Sequence, residues 1–533
     1  MSRLSIAALL VPLSVVACGK DEPPPPPEQP LLAPGDMCDP SRLPAAATPD
    51  PGDDEDPQPV CAPGLACAPV DGGDGFVCGT ELSIRGRVTD SLTGFGIEGA
   101  LVAAFNENGE PVTDVVASDA CGDYVLPVTV RREADGSYAE SLKWTLSVSA
   151  RDYQAFPTGL RPALPIDMAD AQAVPVEASD EQEDDDAEAY EAAEIRNAAT
   201  SVSLISLGPG AQGVAVAGSL GADGAGALVV AEGGPVPAPY AIADASGDFT
   251  VFNVPAGGVT LRAYRQGVQA APATVTVGSA DVADVALTIG DGELATVTGS
   301  LNVVNPGDGS VTSVVLVPAS VYSAALERGP VPLGLRDPPP PAAPDVTGAF
   351  ALSGVPDGTY KVLVAFENDF LVRDPDSNIA GTQIQEIVVA GGAPVQVAES
   401  FKVTGALTIR GPGADGPEEV EAVPTFTWAD DSSEDGYTVA VHDALGGEVW
   451  THEMPGGNGG DVSLAYGGPA LLPGMYYQFR VTSWREKMGA RTDISRTEDL
   501  RGVFVHGEAP PMEECTLADT TGGEESGGAD SSG

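Results

Sequence analysis

Positive charge and histidine are scarce in this sequence. Its 533 residues include 25 Lys and Arg against 78 Asp and Glu, a net charge of −53, and only three His. A surface this acidic repels nucleic acids, so we expect no nucleic-acid partner. The His-Glu-x-x-His, Gly-x-Ser-x-Gly and phosphate-loop motifs are absent, and His442, His452 and His506 have no Cys or carboxylate at metal-binding spacing. We therefore expect a protein that is not an enzyme.

The first apolar run of the chain is too short to span a membrane. Leu4 to Ala17 covers roughly 14 residues, whereas a membrane-spanning helix needs about 20. Its length is typical of a signal peptide, which we predict at residues 1–17. The run ends in Val-Val-Ala-Cys, which resembles the bacterial lipobox. That resemblance implies cleavage before Cys18 and lipidation of Cys18; the alternative is an ordinary signal peptide with an incidental Cys.

The residues after Cys18 have the composition of a tether. Residues 18–36 are rich in proline, with five in succession at 23–27, and such stretches favour extended polyproline II. Gly19 and Lys20 occupy the positions where an Asp often retains lipoproteins in the inner membrane. We therefore expect localisation to the cell envelope, at the outer membrane, with the N-terminal lipid as the membrane contact.

The cysteines other than Cys18 form an even set. Four of them lie between residues 37 and 79, a stretch with few apolar residues that needs covalent links to hold one shape. We predict two disulfides there, with three possible connectivities; a zinc site is the alternative, although no His lies nearby. The other two pair with each other or with another chain. The six candidates are Cys38, Cys61, Cys67, Cys78, Cys121 and Cys515.

A turn of the form Asp-x-x-Gly-x-aromatic recurs three times. The Asp side chain can accept a hydrogen bond from the backbone two residues on, the Gly can adopt the left-handed conformation, and the aromatic residue then begins a strand. Because the turn repeats at a spacing near one sandwich domain, we interpret its Asp and Gly as structural. The copies are Asp119, Gly122 and Tyr124; Asp244, Gly247 and Phe249; and Asp345, Gly348 and Phe350.

The copies resemble the carboxypeptidase regulatory-like domain, a transthyretin-like β-sandwich. The first copy carries the resemblance most clearly, in "IRGRVTDSLTGFGIEGALVAAFNENGEPVTDVVASDACGDYVL". It implies β-sandwiches at 80–208, 209–291 and 292–408. We interpret the acidic segment 177–194 as a disordered loop inside the first sandwich; the alternatives are a linker and a calcium site.

Residues 409–508 resemble a fibronectin type III domain, and residues 509–533 are predicted to be a disordered tail. The resemblance depends on aromatic residues in alternating strands. Trp428, Tyr437 and Tyr477 are predicted to pack in its core. Trp450 and Trp484 lie near strand ends, so they are the better candidates for contacting a sugar or a protein partner.

Calcium is the single cofactor for which the sequence offers a candidate. Asp374, Asp376 and Asn378 form an oxygen-rich alternation. We do not expect an EF-hand loop, because Ile379 stands where that loop needs Gly and Gln385 stands where it needs Glu. Two interpretations of these three residues remain: they bind Ca²⁺ loosely, or they belong to an Asx-rich hairpin loop.

Together these features predict an all-β fold: a multidomain row of Ig-like or transthyretin-like β-sandwiches, with a small disulfide-rich N-terminal module and disordered termini. We expect a non-catalytic cell-envelope lipoprotein whose modules present a binding or adhesive surface for an unknown protein or carbohydrate, or act as a scaffold for envelope proteins. The alternative is an accessory subunit of a secreted hydrolase system. Carboxylates are too numerous for counting to exclude a glycosidase pair, but such a pair needs a cleft, and modules of about 100 residues strung in a row seldom form one.

Overall fold

The computed structural model describes residues 31–40, 59–175, 191–304, 312–339, 342, 345–366, 384–398, 401–404, 406–431, 433–457, 459–497 and 501–507. Within these ranges the regular structure is β-strand, with 3₁₀ turns at Met168–Asp170, Ala198–Thr200 and Ala222–Gly224. None of the described helices has the length and apolarity needed to cross a bilayer. The predicted all-β fold of several sandwiches is confirmed.

The N-terminal module is held by two disulfides, Cys38–Cys67 and Cys61–Cys78. Its strands are Leu31–Leu32, Val60–Cys61, Leu65–Pro69 and Phe76–Thr80. Leu31 and Leu32 pair with Val60 and Cys61, so these two residues belong to the module and not to the predicted tether. Among the described residues the one cluster of possible metal ligands is Cys38, Cys61 and Cys78. Since these sulfurs form disulfides, they cannot serve as the thiolates that zinc requires.

The four larger sandwiches are called modules A (80–208), B (209–291), C (292–408) and D (409–508). Module A has two facing sheets. Its first sheet contains Leu101–Asn106, Val116–Ala117, Lys143–Ser149 and Ile166–Asp167. Its second contains Leu82–Asp90, Asp123–Pro127, Gln172–Pro175, Glu191–Ile195 and Val202–Leu204. Alternate residues such as Val102 and Leu146 point between the sheets and form the core.

Modules B and C repeat this arrangement. The strands of module B are Val214–Ser219, Leu228–Glu232, Tyr240–Ile242, Asp248–Val254, Gly257–Tyr264, Gln269–Ala270, Ala273–Val277, Val282–Ala286 and Ile289–Gly290. Those of module C are Ala295–Val304, Thr312–Pro318, Arg336–Asp337, Ala349–Val355, Gly358–Phe366, Gln385–Val389, Val395–Gln396 and Phe401–Thr404.

Module D has a three-stranded and a six-stranded sheet. The smaller sheet contains Ile409–Gly411, Thr425–Ala429 and Asp461–Ala465. The larger contains Glu418–Val420, Gly436–Asp443, Glu448–Pro455, Tyr476–Lys487, Ala490–Arg496 and Val503–His506. Trp428, Tyr437 and Tyr477 are buried between the sheets, which confirms that they are core residues.

Modules A, B and C share one topology. In each, the opening strand pairs antiparallel with the strand after the Asp-x-x-Gly turn and parallel with a strand near the end of the module. The register is also the same, because a Gly of the opening strand lies opposite the aromatic residue of the turn. These pairs are Gly86 with Tyr124, Gly218 with Phe249, and Gly299 with Phe350.

The acidic segment is shorter than predicted. Glu191–Ile195 is a strand that pairs with Leu82–Ile84 on one side and with Gln172–Pro175 on the other. Apolar and charged residues alternate in this segment, which explains why it forms a strand. Ala193 and Ile195 face the core, while Glu194 forms an ion pair with Arg85 at 2.7 Å. Residues 191–194, which were predicted to belong to the disordered loop, therefore form part of an ordered strand.

Candidate binding cleft

Modules A and B are joined by polar contacts. Arg151 of module A forms an ion pair with Asp281 of module B at 2.6 Å. The Asn253 side chain accepts a hydrogen bond from the Asp152 N–H at 2.8 Å and donates one to the Tyr153 carbonyl at 3.1 Å. These contacts fix the start of the loop that follows strand Lys143–Ser149 against module B.

Modules B and C share one apolar core. Leu228, Val230 and Tyr264 of module B pack in the cluster that forms the core of module C. The Tyr264 ring meets the Tyr360 ring edge-on, with centroids 5.7 Å apart. Glu232 accepts a hydrogen bond from the Tyr264 hydroxyl at 2.6 Å and another from the Ser320 hydroxyl of module C at 2.8 Å.

Module D receives a loop from module C, residues 323–328, which we call the plug loop. Leu326 is buried in the core of module D. Its carbonyl accepts a hydrogen bond from Arg480 at 2.7 Å, and the neighbouring Glu327 carboxylate pairs with Arg480 and Arg496. Arg328 donates to the Gly159 carbonyl of module A at 2.9 Å, so the loop contacts three modules.

The packed modules enclose a cleft of about 1380 Å³, a feature that modules in a row seldom form. One wall is the outer face of a sheet of module A. Because side chains alternate across a strand, Val102 and Ala104 enter the core while Leu101, Ala103 and Phe105 face the cleft. Thr145, Ser147 and Ser149 of the neighbouring strand face it in the same way.

The opposite walls are rich in proline and aromatic rings. Module B contributes residues 235–242, of sequence Pro-Val-Pro-Ala-Pro-Tyr-Ala-Ile, together with Thr250 and Phe252 from the outer face of strand Asp248–Val254. Module A adds residues 153–159, and modules C and D close the remaining sides with residues such as Val331 and Leu445. A volume above the usual 300–1,000 Å³ of small-molecule pockets would admit an elongated ligand.

Charge is rare in this cleft. Of the described residues that line it, none is His, Cys, Lys or Glu, and the charged ones are Asp244, Asp248, Asp284 and Arg328. Asp244 and Arg328 are occupied by hydrogen bonds within the protein. Burial raises the pKa of Tyr153 to about 12 and that of Tyr240 to about 12. Both phenols are therefore neutral near pH 7, and the lining offers no evident acid–base pair.

The first two predicted turns have the expected hydrogen bonds. Asp119 accepts from the Cys121 and Asp123 N–H groups at 2.8 and 2.9 Å. Asp244 accepts from Ser246 N–H at 3.1 Å and Asp248 N–H at 2.9 Å. Gly122 and Gly247 are both left-handed, with φ of 78° and 85°.

The third turn differs from the other two. The Gly348 carbonyl accepts from Leu301 N–H, as Gly122 does from Val88 and Gly247 from Leu220. Gly348, however, is not in the left-handed conformation, and a Cβ there would meet open space. Asp345 begins the described residues that lead into this turn. The close packing that requires Gly at the first two turns is thus missing at the third.

Asp244 also contacts module A. Its second carboxylate oxygen accepts from Val115 N–H at 3.3 Å, and the residue is buried. This side chain therefore forms part of the A–B interface and of the cleft wall as well as of the turn in module B.

The two candidate tryptophans lie away from the cleft lining. Trp450 is half-buried and packs against Tyr466 and His452, with centroid distances of 5.1 and 5.6 Å. Trp484 is half-buried beneath the Arg491 guanidinium at 4.7 Å. Their role in binding stays a prediction. Cys18, Cys515 and the loop with Asp374, Asp376 and Asn378 lie outside the described residues.

Sequence reasoning did not find the cleft, because its walls come from four separate parts of the chain. The one local feature that points to the cleft is the Pro-rich stretch 235–239. Its prolines exclude it from a central strand, and in the structure it lines the cleft.

Comparisons with known proteins give structural matches alone. No protein-family model and no curated protein matches the chain. The Bacillus anthracis TIE protein matches with 9% identity and a TM-score of 0.13, over 77% of this chain and 68% of its own. The minor pilin GBS52 of Streptococcus agalactiae matches with 13% identity and a TM-score of 0.17, over 37% of this chain and 99% of its own.

A third match is the tetra-tandem repeat in the extending region of a large adhesion protein. It has 12% identity and a TM-score of 0.12, over 79% of this chain and 99% of that one. By their titles, the second and third of these neighbours are a pilin and a part of an adhesion protein. TM-scores this low carry no argument about the arrangement of the modules or about function.

Proposed function

We propose that this chain is a non-catalytic cell-envelope lipoprotein whose packed modules bind an uncharged ligand in the cleft. The observation that carries the proposal is the contrast between the acidic chain, with a net charge of −53, and a cleft wall made mainly of Ala, Gly, Pro, hydroxyl and aromatic residues. A cavity with so few charged side chains favours neutral ligands, since burying an unpaired ion is costly.

A neutral glycan is the ligand class that fits these walls. Aromatic faces carry negative potential that attracts the C–H edges of a sugar ring, and Tyr240 and Phe252 supply such faces. Ser147, Ser149 and Thr145 supply hydroxyls on the facing wall. Among the described residues, Gln154 Oε1 and Thr158 Oγ1 are buried without a hydrogen-bond partner, which favours a ligand that also carries donors.

A glycan array tests the proposal. The mature full-length protein should bind neutral glycans, and Phe252→Ser should weaken binding about tenfold, the typical loss for a well-packed aromatic anchor. Val388→Ser is the matched control, because Val388 is an apolar strand residue that is 66% exposed and lies outside the cleft lining. Equal binding by the Phe252→Ser and control proteins, or no glycan binding at all, would exclude the cleft as a glycan site.

The envelope location belongs to the same proposal. With Leu31 placed in the N-terminal module, the tether from Cys18 spans residues 18–30. Mass spectrometry of the membrane fraction should find acyl mass on an N-terminal Cys18 peptide. An unmodified peptide that reads through Ala17 and Cys18 would refute lipidation.

The resemblance to carboxypeptidase regulatory-like domains is supported by the common topology of modules A, B and C and by their three Gly–aromatic pairs. An accessory role beside a secreted hydrolase would use the same cleft. Co-purification of the lipidated protein distinguishes the two roles, since the accessory role predicts a hydrolase among its partners.

A further inference from the structure

We propose that Cys121 is linked to Cys515, so that a disulfide ties the C-terminal segment of the chain to module A. Cys121 is disulfide-bonded in the structure. The other described cysteines pair with each other inside the N-terminal module. Of seven cysteines in the sequence, this leaves Cys18 and Cys515 as possible partners.

The fold favours Cys515, because Cys121 lies at the far end of module A from the N-terminal module. Strand Leu82–Asp90 runs between the two ends. At its start, Glu81 N–H donates to the Gly64 carbonyl of the N-terminal module. At its other end, Val88 N–H donates to the Gly122 carbonyl, next to Cys121. The seven residue steps from Glu81 to Val88 separate these points by about 23 Å.

Module D ends near Cys121. The Gly474 N–H donates to the His506 carbonyl at 2.9 Å, in the last strand of module D. If Gly474 carried a Cβ atom, that atom would lie 2.1 Å from the Ser91 carbonyl oxygen. The backbone of module D at Gly474 therefore contacts loop 90–96 of module A. The same loop also packs against Cys121. If Gly96 carried a Cβ atom, that atom would lie 2.0 Å from the Cys121 carbonyl oxygen, so the two backbones are in direct contact.

Chain length permits the link. Cys515 lies eight positions after Gly507 in the sequence, and a fully extended segment of that length spans about 26–29 Å. Formation of the bond removes two protons and two electrons from the Cys121 and Cys515 thiols. A disulfide-bearing oxidant of an oxidising compartment would accept them by thiol–disulfide exchange and leave as a dithiol.

The link would close a covalent loop that contains modules B, C and D and the part of module A that follows Cys121. It would hold module D on module A even when the non-covalent contacts of the plug loop separate, and so preserve the cleft between them. This role is independent of which ligand the cleft binds.

Peptide mapping tests the link directly. The mature protein is alkylated without reduction and digested, and its peptides are analysed by mass spectrometry. We expect one linked peptide that contains Cys121 and Cys515 and disappears on reduction, with the Cys38–Cys67 and Cys61–Cys78 peptides as internal positive controls. An alkylated Cys515, or Cys121 linked to any other cysteine, would overturn the proposal.

Thiol titration of denatured, unreduced protein gives a second readout. Relative to the wild type, Cys515→Ser and Cys121→Ser should each gain one reactive thiol, and the double variant should gain none. Because differences are compared, the result does not depend on the state of Cys18. No gain in either single variant would show that the two cysteines are not partners.

Discussion

At the scale of single residues, the repeated Gly–aromatic pair is the clearest determinant of the fold. A Cβ on Gly218 would lie 2.7 Å from Phe249 Cζ and 2.0 Å from the Val285 carbonyl oxygen. Gly299 is as close to Phe350, with a distance of 2.3 Å. The Gly makes room for the ring over the opening strand, which is why the two residue types recur together in three modules.

Gly218→Ala should therefore destabilise module B by about 1–3 kcal/mol, the usual cost of overpacking. Gly278→Ala is the matched control, because a Cβ there meets nothing within 4 Å and Gly278 is not left-handed. We expect a stability change for the control within about 0.5 kcal/mol. Thermal unfolding of both variants measures the difference, and equal melting temperatures would contradict the steric explanation.

At the scale of elements, the plug loop is the main connection between modules C and D. Glu327 has a side chain that is 17% exposed and lies between Arg480, 8% exposed, and Arg496, 16% exposed. A carboxylate between two largely buried guanidinium groups keeps their charge compensated. Glu327 holds this position with a left-handed backbone, φ 55°, which few residues other than Gly adopt.

Replacing Glu327 by Gln should destabilise the C–D junction by about 3–5 kcal/mol, because the change removes one partner of a buried ion pair. Glu386→Gln, whose ion pair with Lys361 is half exposed, should cost no more than about 1 kcal/mol. Chemical denaturation followed by tryptophan fluorescence reports on this junction, since module D holds three of the four Trp. Similar midpoints for the two variants would mean that Glu327 does not join the modules.

His442 gives the same region a dependence on pH. Burial, followed by the charge of Arg480, lowers the pKa of His442 below 6.5. The unfolded chain then binds a proton more readily than the folded one, so stability is complete above pH 6.5 and falls as the pH drops towards the folded pKa.

We expect the melting temperature of the wild type to fall between pH 7 and pH 5 more steeply than that of His442→Gln. His452→Gln is the control, because His452 is exposed on the adjacent strand. A pH profile of His442→Gln that parallels the wild type would show that another group sets the slope.

At the scale of the whole molecule, shared cores make the modules one unit. The core of module D contains Leu160 and Ile205 of module A and Leu326 of module C. The core of module C includes residues of module B. The cleft exists because these contacts fix the four sandwiches relative to one another.

Leu326→Asp should therefore open this assembly, since it places a charge in the core of module D. Small-angle X-ray scattering should show a larger radius of gyration for Leu326→Asp than for the wild type, and no increase for the exposed control Val388→Asp. Identical radii for all three proteins would indicate that the modules do not depend on this contact for their arrangement.

The local features of this protein could be predicted from its sequence alone. Turn chemistry identified Asp119 and Asp244, alternation placed Trp428 and Tyr437 in a core, and scarce apolar residues around Cys38 indicated disulfides; each depends on residues close together in the chain. The pairing Cys38–Cys67, the strand at Glu191–Ile195 and the cleft became evident from the three-dimensional structure. These depend on contacts between distant segments, such as Leu326 in the core of module D, which no local periodicity records.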